Sequence, residues 1–428
     1  MDDTRRGAYM ALRDVEENKA FSNIAVSGAI KKTSPTNVPF LRELVYGTLR
    51  NQFYLDWIIG NFIKTPVAKL HPSDKILLRM GLYQLMSMDS VPDYAAINET
   101  VELAKKYAKG RERFINGVLR NYQRKREDIE LSAEKEDDVD YLSVKYSFSP
   151  WIVEMWLKEF GAPDRVVHLL ESLNATPKLC IRVNTLKTDV ETVATQLKSR
   201  GFAVDTDDDL PHLLYVEGEG LLDTDIYKDG FFSVQDRGSQ IVCDALGAKP
   251  GDTVVDVCAA PGGKTTTIAE YMNNSGSISA ADIHEHRLGL VDEATKRLGI
   301  GIVTTHQRDG REFDENLCGT VDRVLVDAPC SGLGTARRKP EVKFKDFDEN
   351  MKDLPNIQLD ILKTSSRYVK PGGILVYSTC TIAERENTKV VEAFIGDNSD
   401  FRILDRAQLM PLANGTDGFF VCKMQRVN

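Results

Sequence analysis

The sequence predicts a multidomain protein with an all-helical front, a small α+β segment and a large α/β section toward the carboxyl end. Three observations predict this fold class. Residues 1–126 carry apolar residues at helical spacing, residues 179–234 combine short β-prone runs with one helix, and the chain from residue 253 alternates β-prone runs with helical stretches. Such alternation indicates a parallel sheet with helices on both faces. A chain of 428 residues has room for two to three domains.

The composition is typical of a globular protein in water, with 42% hydrophobic and 28% charged residues. No apolar run reaches the length needed to span a bilayer, and the charged start lacks the apolar core of a secretory signal. Seven cysteines without a CxxC pair or Cys/His spacing argue against a disulfide framework and against a zinc site. We therefore expect a cytoplasmic protein with no metal and no membrane partner.

Charge is distributed unevenly along the chain. Residues 1–128 carry 21 Lys+Arg and 15 Asp+Glu, a net of 21 − 15 = +6, so the remainder carries 34 − 49 = −15. Between Lys105 and Arg126 nine basic residues accompany one acid, Glu112. Most charge runs are solvated helix faces, but this run lacks the glutamates that i,i+4 pairing would supply. The front is therefore expected to bind a polyanion.

The helical front is predicted to hold five helices, with Ser73 as the N-cap of the third. Their predicted ranges are 5–17, 40–62, 75–88, 97–107 and 114–122. The runs AINETVELAK at 96–105 and RFINGVLR at 113–120 resemble the NusB-like RNA-binding domain over residues 1–126. This resemblance implies an all-α domain that contacts RNA.

An acidic linker is predicted at residues 127–142, followed by a segment over 143–235 that begins with a helical stretch at 141–160. Strands are then predicted at 179–183, 213–216 and 231–234, with a helix at 190–200. This order looks like a ferredoxin-like or RNA-recognition-motif (RRM-like) subdomain. Its strands lack the aromatic pair that stacks bases in such motifs, so no RNA stacking is expected there.

The last domain, residues 236–428, is predicted to be a Rossmann-like α/β fold. Its predicted strands lie at 253–257, 277–281, 302–305, 321–326 and 373–378, and its predicted helices at 265–272 and 285–298. The run DVCAAPGGKT at 256–265 joins the first strand to its helix. Small residues let the backbone approach a ligand, and the helix N-terminus is electropositive. Cys258 stands where a Walker A loop needs glycine, and no GxGxxG motif is present.

Carboxylates follow three strands of this section, as Asp282, Asp309 and Asp327. The carboxyl ends of parallel strands share one edge of a sheet, so we expect these side chains to line one crevice. Acidic side chains suit the hydroxyls of a ribose, the amino group of adenine and a positive sulfonium, and they would repel a triphosphate. The pattern predicts S-adenosylmethionine as the cofactor.

Two thiols also lie at strand ends, Cys330 in the run DAPC and Cys380 in the run STCT. Amine methylation commonly uses an Asp/Asn-Pro-Pro-aromatic loop, whereas a thiol suggests a carbon acceptor. Carbon 5 of cytosine becomes nucleophilic only after a thiolate adds to carbon 6. An aspartate touching the exocyclic amine and ring nitrogen 3 would stabilise that adduct. Either cysteine could be structural, and the chemistry alone does not say which one attacks.

The motifs together resemble the RNA 5-methylcytosine methyltransferase family. They are DVCAAPGGKTT at 256–266, DAPCSGLG at 327–334, RRKPE at 337–341, STCT at 378–381, and the flanking pairs at 235–236 and 417–420. The resemblance implies that Cys380 is the nucleophile, that Cys330 assists product release, and that Asp327 and Lys264 complete the catalytic centre. The cofactor residues that it implies are Cys258, Ala259, Ala260, Pro261, Gly262, Gly263, Lys264, Asp282, Arg287, Asp309 and Asp327.

Family members with a NusB-like front act on 16S rRNA, which implies a target at the position-967 cytosine in the usual rRNA numbering. The resemblance further implies a monomer that acts on free rRNA before 30S assembly. A tRNA cytosine-5 methyltransferase with the same core is the alternative within this class. A non-catalytic RNA-binding or ribosome assembly factor is the alternative from another class, and the presence of both thiols with all three aspartates counts against it.

Overall fold

The computed structural model describes residues 2–133, 135, 137–411 and 415–428. Glu134 and Glu136 of the predicted acidic linker lie outside the described residues. The chain forms two compact units. The first unit comprises Met1–Ala175 and Ala336–Asp346, and the second comprises Thr176–Thr335 and Phe347–Asn428. No helix in the described part of the chain is long and apolar enough to cross a membrane.

The first unit is helical, as its apolar spacing predicts. Its described residues form ten α-helices, and the first seven share one apolar core. These helices are α1 (Asp3–Asn18), α2 (Ser22–Thr33), α3 (Val38–Arg50), α4 (Gln52–Gly60), α5 (Pro72–Ser87), α6 (Asp93–Tyr107), α7 (Glu112–Lys125), α8 (Val139–Tyr146), α9 (Pro150–Phe160) and α10 (Pro163–Asn174).

Two of the predicted helices are each divided into two. The helix predicted over 40–62 breaks at Asn51, whose side-chain amide donates to the carbonyl of Gly47 at 2.9 Å. Asparagine competes in this way for backbone carbonyls and weakens helix continuity. The stretch at 141–160 breaks at Ser147, which has a left-handed φ of 56°, so that a new helix starts at Pro150.

The N-cap predicted at Ser73 is wrong. Helix α5 begins one residue earlier, at Pro72, and His71 is its cap, with the ring nitrogen Nδ1 accepting from the backbone N–H of Ser73 at 3.3 Å. Proline suits the first helical position because its missing N–H would have no partner there. The Ser73 hydroxyl instead accepts a hydrogen bond from the hydroxyl of Tyr9 at 2.9 Å.

The second unit opens with the predicted ferredoxin-like subdomain. Its four-stranded sheet is antiparallel throughout, in the order β2-β3-β1-β4. The elements are β1 (Leu179–Val183), α11 (Val190–Ser199), β2 (Ala203–Thr206), β3 (Leu213–Glu217), α12 (Asp225–Lys228) and β4 (Phe232–Val234).

The remainder of the second unit is a Rossmann-like domain built on a seven-stranded sheet in the order β10-β11-β9-β8-β5-β6-β7. Its elements are α13 (Arg237–Leu246), β5 (Thr253–Asp256), α14 (Gly263–Tyr271), β6 (Ser277–Asp282), α15 (Glu285–Leu298), β7 (Val303–Gln307), β8 (Val321–Asp327), α16 (Glu349–Ser366), β9 (Val369–Thr379), α17 (Thr388–Asp397), β10 (Phe401–Leu409) and β11 (Phe419–Arg426).

The parallel arrangement expected for the five predicted strands is confirmed, but the complete sheet is mixed, because it contains two further strands that the sequence analysis did not predict. Strands β5 to β9 run parallel, but β11 pairs antiparallel with both β9 and β10. Nine residues, 410–418, separate β10 from β11, which is fewer than the crossover that a parallel pairing would need. The central strand β5 lies between β6 and β8, which follow it in opposite directions across the sheet. Ligands of open α/β folds bind at such a switch point, at the carboxyl ends of the strands.

Candidate active site

The glycine-rich loop lies at the carboxyl end of β5 and leads directly into α14. Gly262 has a φ of 97°, and a Cβ at this position would lie 3.0 Å from the Cα of Val291 on α15. Only glycine meets both conditions without strain. The backbone therefore turns closely at this point, and the N–H groups of the first turn of α14 face the open edge of the sheet.

Asp282, at the end of β6, organises this loop. It is almost fully buried, and its two carboxylate oxygens accept hydrogen bonds from the backbone N–H groups of Ala260 at 3.2 Å and His284 at 3.0 Å. Arg287 lies 3.3 Å from the same carboxylate and also donates to the carbonyl of Ala260 at 2.8 Å. The predicted cofactor residues Ala260, Asp282 and Arg287 therefore form one connected cluster.

Asp256 is the last residue of β5, the strand that lies between the strands ending at Asp282 and Asp327. Its side chain is fully buried, accepts a hydrogen bond from the Thr265 hydroxyl at 2.7 Å, and leaves one oxygen without a hydrogen-bond partner among the described residues. Burial raises the pKa of Asp256 to about 7, and the nearby charges of Asp327 and Asp282 act in the same direction. The sequence placed Asp256 in the loop motif but did not indicate that it is buried.

Asp309 occupies a different environment from Asp282 and Asp256. It follows the edge strand β7, and Arg311 binds it at 2.6 Å, which lowers its pKa. The loop still reaches the centre of the sheet, because a Cβ at Gly310 would lie 2.9 Å from a methyl carbon of Val257. The structure therefore brings the Asp309 loop to the end of β5 while the carboxylate itself is held by an arginine.

Asp327 and Lys264 form the ion pair at the centre of the site. Lys264 Nζ lies 2.6 Å from one oxygen of Asp327, and the hydroxyl of Ser378 donates to the other oxygen at 2.7 Å. Burial opposes the charged form of Lys264, but the Asp327 carboxylate outweighs it and raises the lysine pKa. Lys264 is therefore held in its charged form, and the Asp327 carboxylate is fixed in orientation from two sides.

The two predicted thiols meet beside this ion pair. The Sγ atoms of Cys330 and Cys380 are 3.4 Å apart, at the ends of the neighbouring strands β8 and β9. The hydrogen bond with Cys380, together with burial, raises the pKa of the Cys330 thiol well above its ordinary value. The positive charge of Lys264 interacts with Cys380. A thiolate at Cys380 would therefore have a thiol donor and a cation nearby.

The two flanking motifs also converge on this site. The Gln235 amide donates to the carbonyl of Gly263 at 3.1 Å, and the ammonium of Lys264 lies 5.4 Å from the ring centre of Phe419. Asp236 accepts from the backbone N–H of Asp417 at 3.4 Å. Segments at the two ends of the domain thus meet beside the loop and its lysine.

Arg182 is a residue of the site region that the sequence analysis did not identify. It lies on β1 of the ferredoxin-like subdomain, is fully buried, and donates to both carboxylate oxygens of Glu270 on α14 at 2.9 and 2.7 Å. It also donates to Gln235 at 2.6 Å and to the carbonyl of Gly263 at 3.1 Å. The sequence did contain a signal that Arg182 has a buried partner. It is the single charge in the otherwise apolar run LCIRV, and an unpaired charge is rarely buried.

These residues fit S-adenosylmethionine. The close turn at Gly262 leaves the backbone accessible, and the first turn of α14 offers N–H donors. Asp282 and Asp327 supply carboxylates at the ends of the two strands that flank β5. Carboxylates complement the hydroxyl, amine and sulfonium groups of this cofactor. When bound, S-adenosylmethionine supplies an electrophilic methyl group.

The fold and the site therefore define the class of the protein, an S-adenosylmethionine-dependent methyltransferase. Family models match along the chain: the NusB family at 2–124, the RsmF/B-like ferredoxin-like domain at 148–221, and the 16S rRNA methyltransferase RsmB/F family at 243–425. The probable ribosomal RNA small subunit methyltransferase B of Bacillus subtilis (strain 168) is 38% identical over 444 residues, covering 98% of both chains. The chain belongs to the RsmB/F family of 16S rRNA methyltransferases.

Other relatives and solved structures agree with this assignment. Ribosomal RNA small subunit methyltransferase B of Shigella sonnei is 32% identical over 96% of this chain and 95% of its own. The crystal structure of PH0851 superposes with a TM-score of 0.86 at 28% identity, covering 99% of this chain and 98% of that chain. NSun6 from Pyrococcus horikoshii, solved with SFG, covers 64% of this chain and 97% of its own with a TM-score of 0.59. At 22% identity the NSun6 likeness concerns the fold alone.

Proposed function

We propose that this rRNA methyltransferase transfers the methyl group to carbon 5 of a cytosine through a covalent bond between Cys380 and the base. The observation that carries the proposal is the pair of thiols, whose sulfur atoms are 3.4 Å apart beside the ion pair of Asp327 and Lys264. A methyltransferase acting on an amine needs no thiol, whereas a cytosine carbon needs a nucleophile and a group that helps it leave.

In the first step, the Cys380 thiolate adds to carbon 6 of the cytosine. Asp327 contacts the exocyclic amine and ring nitrogen 3, and it is held ready for this contact by Lys264 and Ser378. The pair of fixed hydrogen bonds means that the carboxylate does not reorient as charge develops on the ring. Carbon 5 then becomes enamine-like and accepts the methyl group.

In the second step, a base removes the proton from carbon 5 and the bond between carbon 6 and the Cys380 sulfur breaks. The electron pair of that bond returns to sulfur. The raised pKa of Cys330 keeps this residue as a thiol, so its S–H can stabilise the departing thiolate across the 3.4 Å gap. Cys330 therefore assists product release rather than attack.

The proposed substrate is the cytosine at position 967 of 16S rRNA, in free rRNA before 30S assembly. The names of the B. subtilis and S. sonnei relatives support an rRNA substrate. We also propose that the protein is a monomer in the cytoplasm, a reducing compartment that suits its seven free cysteines. Cofactor binding is proposed for Cys258 to Lys264, Asp282, Arg287 and Asp309. A paired target would have to leave the helix to reach the thiols.

Residues 1–126 are proposed to bind the RNA through the basic face of α7. Arg113 and Arg124 are exposed on this helix. Reversing both charges should weaken RNA binding and reduce the slope of log affinity against log salt by about 2, because each lost phosphate contact removes roughly one unit. The matched control reverses Lys19 and Lys31, which are exposed elsewhere in the first unit. Equal effects of the two double variants would contradict this assignment.

Bisulfite sequencing of rRNA and tRNA from cells with and without the protein tests the substrate directly. The proposal expects one 16S rRNA cytosine to lose its methylation signal in cells that lack the protein. Loss at a tRNA cytosine instead would favour the tRNA enzyme, and unchanged methylation in both RNAs would favour a non-catalytic factor.

The two cysteines are distinguished by opposite outcomes in variants. Cys380→Ala should abolish methyl transfer while leaving S-adenosylmethionine binding nearly unchanged. Cys330→Ala should form a covalent RNA–protein adduct that survives a denaturing gel, because attack proceeds and release does not. Turnover by the Cys380 variant would refute the nucleophile assignment, and absence of the adduct would refute the release role.

A further inference from the structure

Two consecutive buried polar residues, Glu386 and Asn387, have no role in the steps above. They lie between β9 and α17, and their side chains are 0% and 1% exposed. Burying a carboxylate and an amide is costly unless both are hydrogen-bonded, so their partners indicate what the structure gains from them.

Glu386 holds the peptide that carries Cys330. One of its carboxylate oxygens accepts from the backbone N–H of Ser331 at 2.8 Å and from the side-chain amide of Gln358 at 3.1 Å. The same Gln358 amide donates to the carbonyl of Pro329 at 2.9 Å. Hydrogen bonds therefore fix the backbone on both sides of Cys330.

Asn387 holds the peptide that carries Cys380 in the same way. Its oxygen accepts from the hydroxyl of Thr379, and its amide donates to the carbonyl of Thr381 at 3.0 Å and to Gln408 at 2.8 Å. The residues on both sides of Cys380 are therefore bound to one amide side chain, which is itself fixed by a further partner.

We propose that Glu386 and Asn387 are positioning residues that set the separation of the two thiols, Glu386 through Cys330 and Asn387 through Cys380. A cysteine side chain has one torsion before its sulfur, so the position of the peptide largely determines the position of the thiol. Because the two residues are adjacent in the chain, one peptide unit links the supports of both thiols. This inference rests on the proposed function, in which the two sulfurs act at different steps.

The steps that depend on each residue are different. Attack forms the bond between carbon 6 and the Cys380 sulfur, and depends on the placement of Cys380 by Asn387. Release transfers the carbon 5 proton to a base, restores the double bond between carbons 5 and 6, and returns the sulfur's electron pair. Release depends on Cys330, and so on Glu386. A general loss of packing would slow both steps together.

The test uses the full-length protein with transcribed 16S rRNA and S-adenosylmethionine. Glu386→Ala is expected to methylate in a single turnover nearly as fast as wild type, but to release the adduct at least roughly tenfold more slowly, so that adduct accumulates. Asn387→Ala is expected to form adduct roughly tenfold more slowly without accumulating it. Glu386→Gln, which retains an acceptor for Ser331, should restore most of the release rate.

The matched control is Glu384→Ala, in the same helical turn, whose side chain is 47% exposed. It should behave as wild type in both steps. The affinity for S-adenosylmethionine should stay within roughly twofold in each variant, because the contacts concerned lie away from the glycine-rich loop. If Glu386→Ala does not fold, Gln358→Ala removes the hydrogen bonds to Pro329 and Glu386 but leaves the contact between Glu386 and Ser331, and it should also accumulate adduct.

Two results would overturn the inference. Equal slowing of adduct formation in the Glu386 and Asn387 variants would assign both residues to packing alone. Release at the wild-type rate in both the Glu386→Ala and Gln358→Ala variants, with Cys330→Ala still accumulating adduct, would refute the inference and leave the proposed function intact. Absence of adduct in Cys330→Ala itself would instead refute the proposed release role, and the link to Glu386 with it.

Discussion

Replacing Arg182 with methionine tests how the ferredoxin-like subdomain supports the cofactor loop. The side chains of Arg182 and Glu270 are 1% and 2% exposed, and the arginine donates to both carboxylate oxygens. Methionine has a similar length but carries no charge and no donor. The substitution therefore leaves Glu270 buried without a counter-charge, and removes a hydrogen bond to the Gly263 carbonyl at the start of α14.

The expected cost follows from this geometry. Removing one partner of a buried ion pair costs about 3–5 kcal/mol. Burial raises the pKa of Glu270 while Arg182 opposes that rise, so loss of Arg182 favours protonation and limits the cost to about 3 kcal/mol. For a unit of this size the melting temperature should fall by about 6–12 °C. The double variant Arg182→Met/Glu270→Met removes both charges and should lose only about 1 kcal/mol.

Scanning calorimetry of the full chain measures the stability, and titration calorimetry measures the affinity for S-adenosylmethionine. Because Gly263 begins the cofactor helix, the affinity of Arg182→Met should fall roughly tenfold. The control is Arg200→Met, which removes a solvent-exposed ion pair with Asp225 in the same subdomain and should change the melting temperature by no more than about 2 °C. Equal effects at positions 182 and 200, or a double variant less stable than Arg182→Met, would refute the reasoning.

Three further predictions concern the loop and the strand ends. Burial raises the pKa of Asp256 from 3.8 to about 7, so folding takes up a proton between these pH values. Its stabilising contribution is complete below pH 4 and is lost as pH rises through 7. In the wild type, the free energy of unfolding should therefore fall by on the order of 4 kcal/mol between pH 4 and pH 7, and in Asp256→Asn this fall should be absent. Denaturant titrations across that pH range measure the difference. Lys264→Met leaves the carboxylate 2.6 Å away without its cation, and should lower the single-turnover methylation rate roughly 100-fold; a change below about threefold would contradict its catalytic role. Gly334→Ala places a Cβ against the carbonyl oxygen of Gly418 and should lower the melting temperature and methyl transfer together, whereas Gly289→Ala, in a helix with open space around it, should lower neither.

Local patterns in the sequence predicted much of the fold. The strand Leu179–Val183 and the helix Glu285–Leu298 were predicted to the residue, because the first is a short apolar run, the second has an apolar helical period, and both have defined ends. The strands β10 and β11 were missed. Strand β10 is largely exposed and carries charges along FRILDRAQL, so no alternation marks it, and only pairing with β11 makes it a strand.

Sequence by itself determined which chemical groups were predicted to meet, because the motifs place Asp327, Cys330 and Cys380 at the ends of strands that share one edge and Lys264 at the start of the helix after β5. Only the tertiary structure decided how these groups are held. Arg182 meets Glu270 across 88 residues of sequence, and Glu386 reaches the loop of Cys330 across 55. Such pairings leave no local pattern, since they form only when distant segments pack and leave a buried polar group that requires a partner.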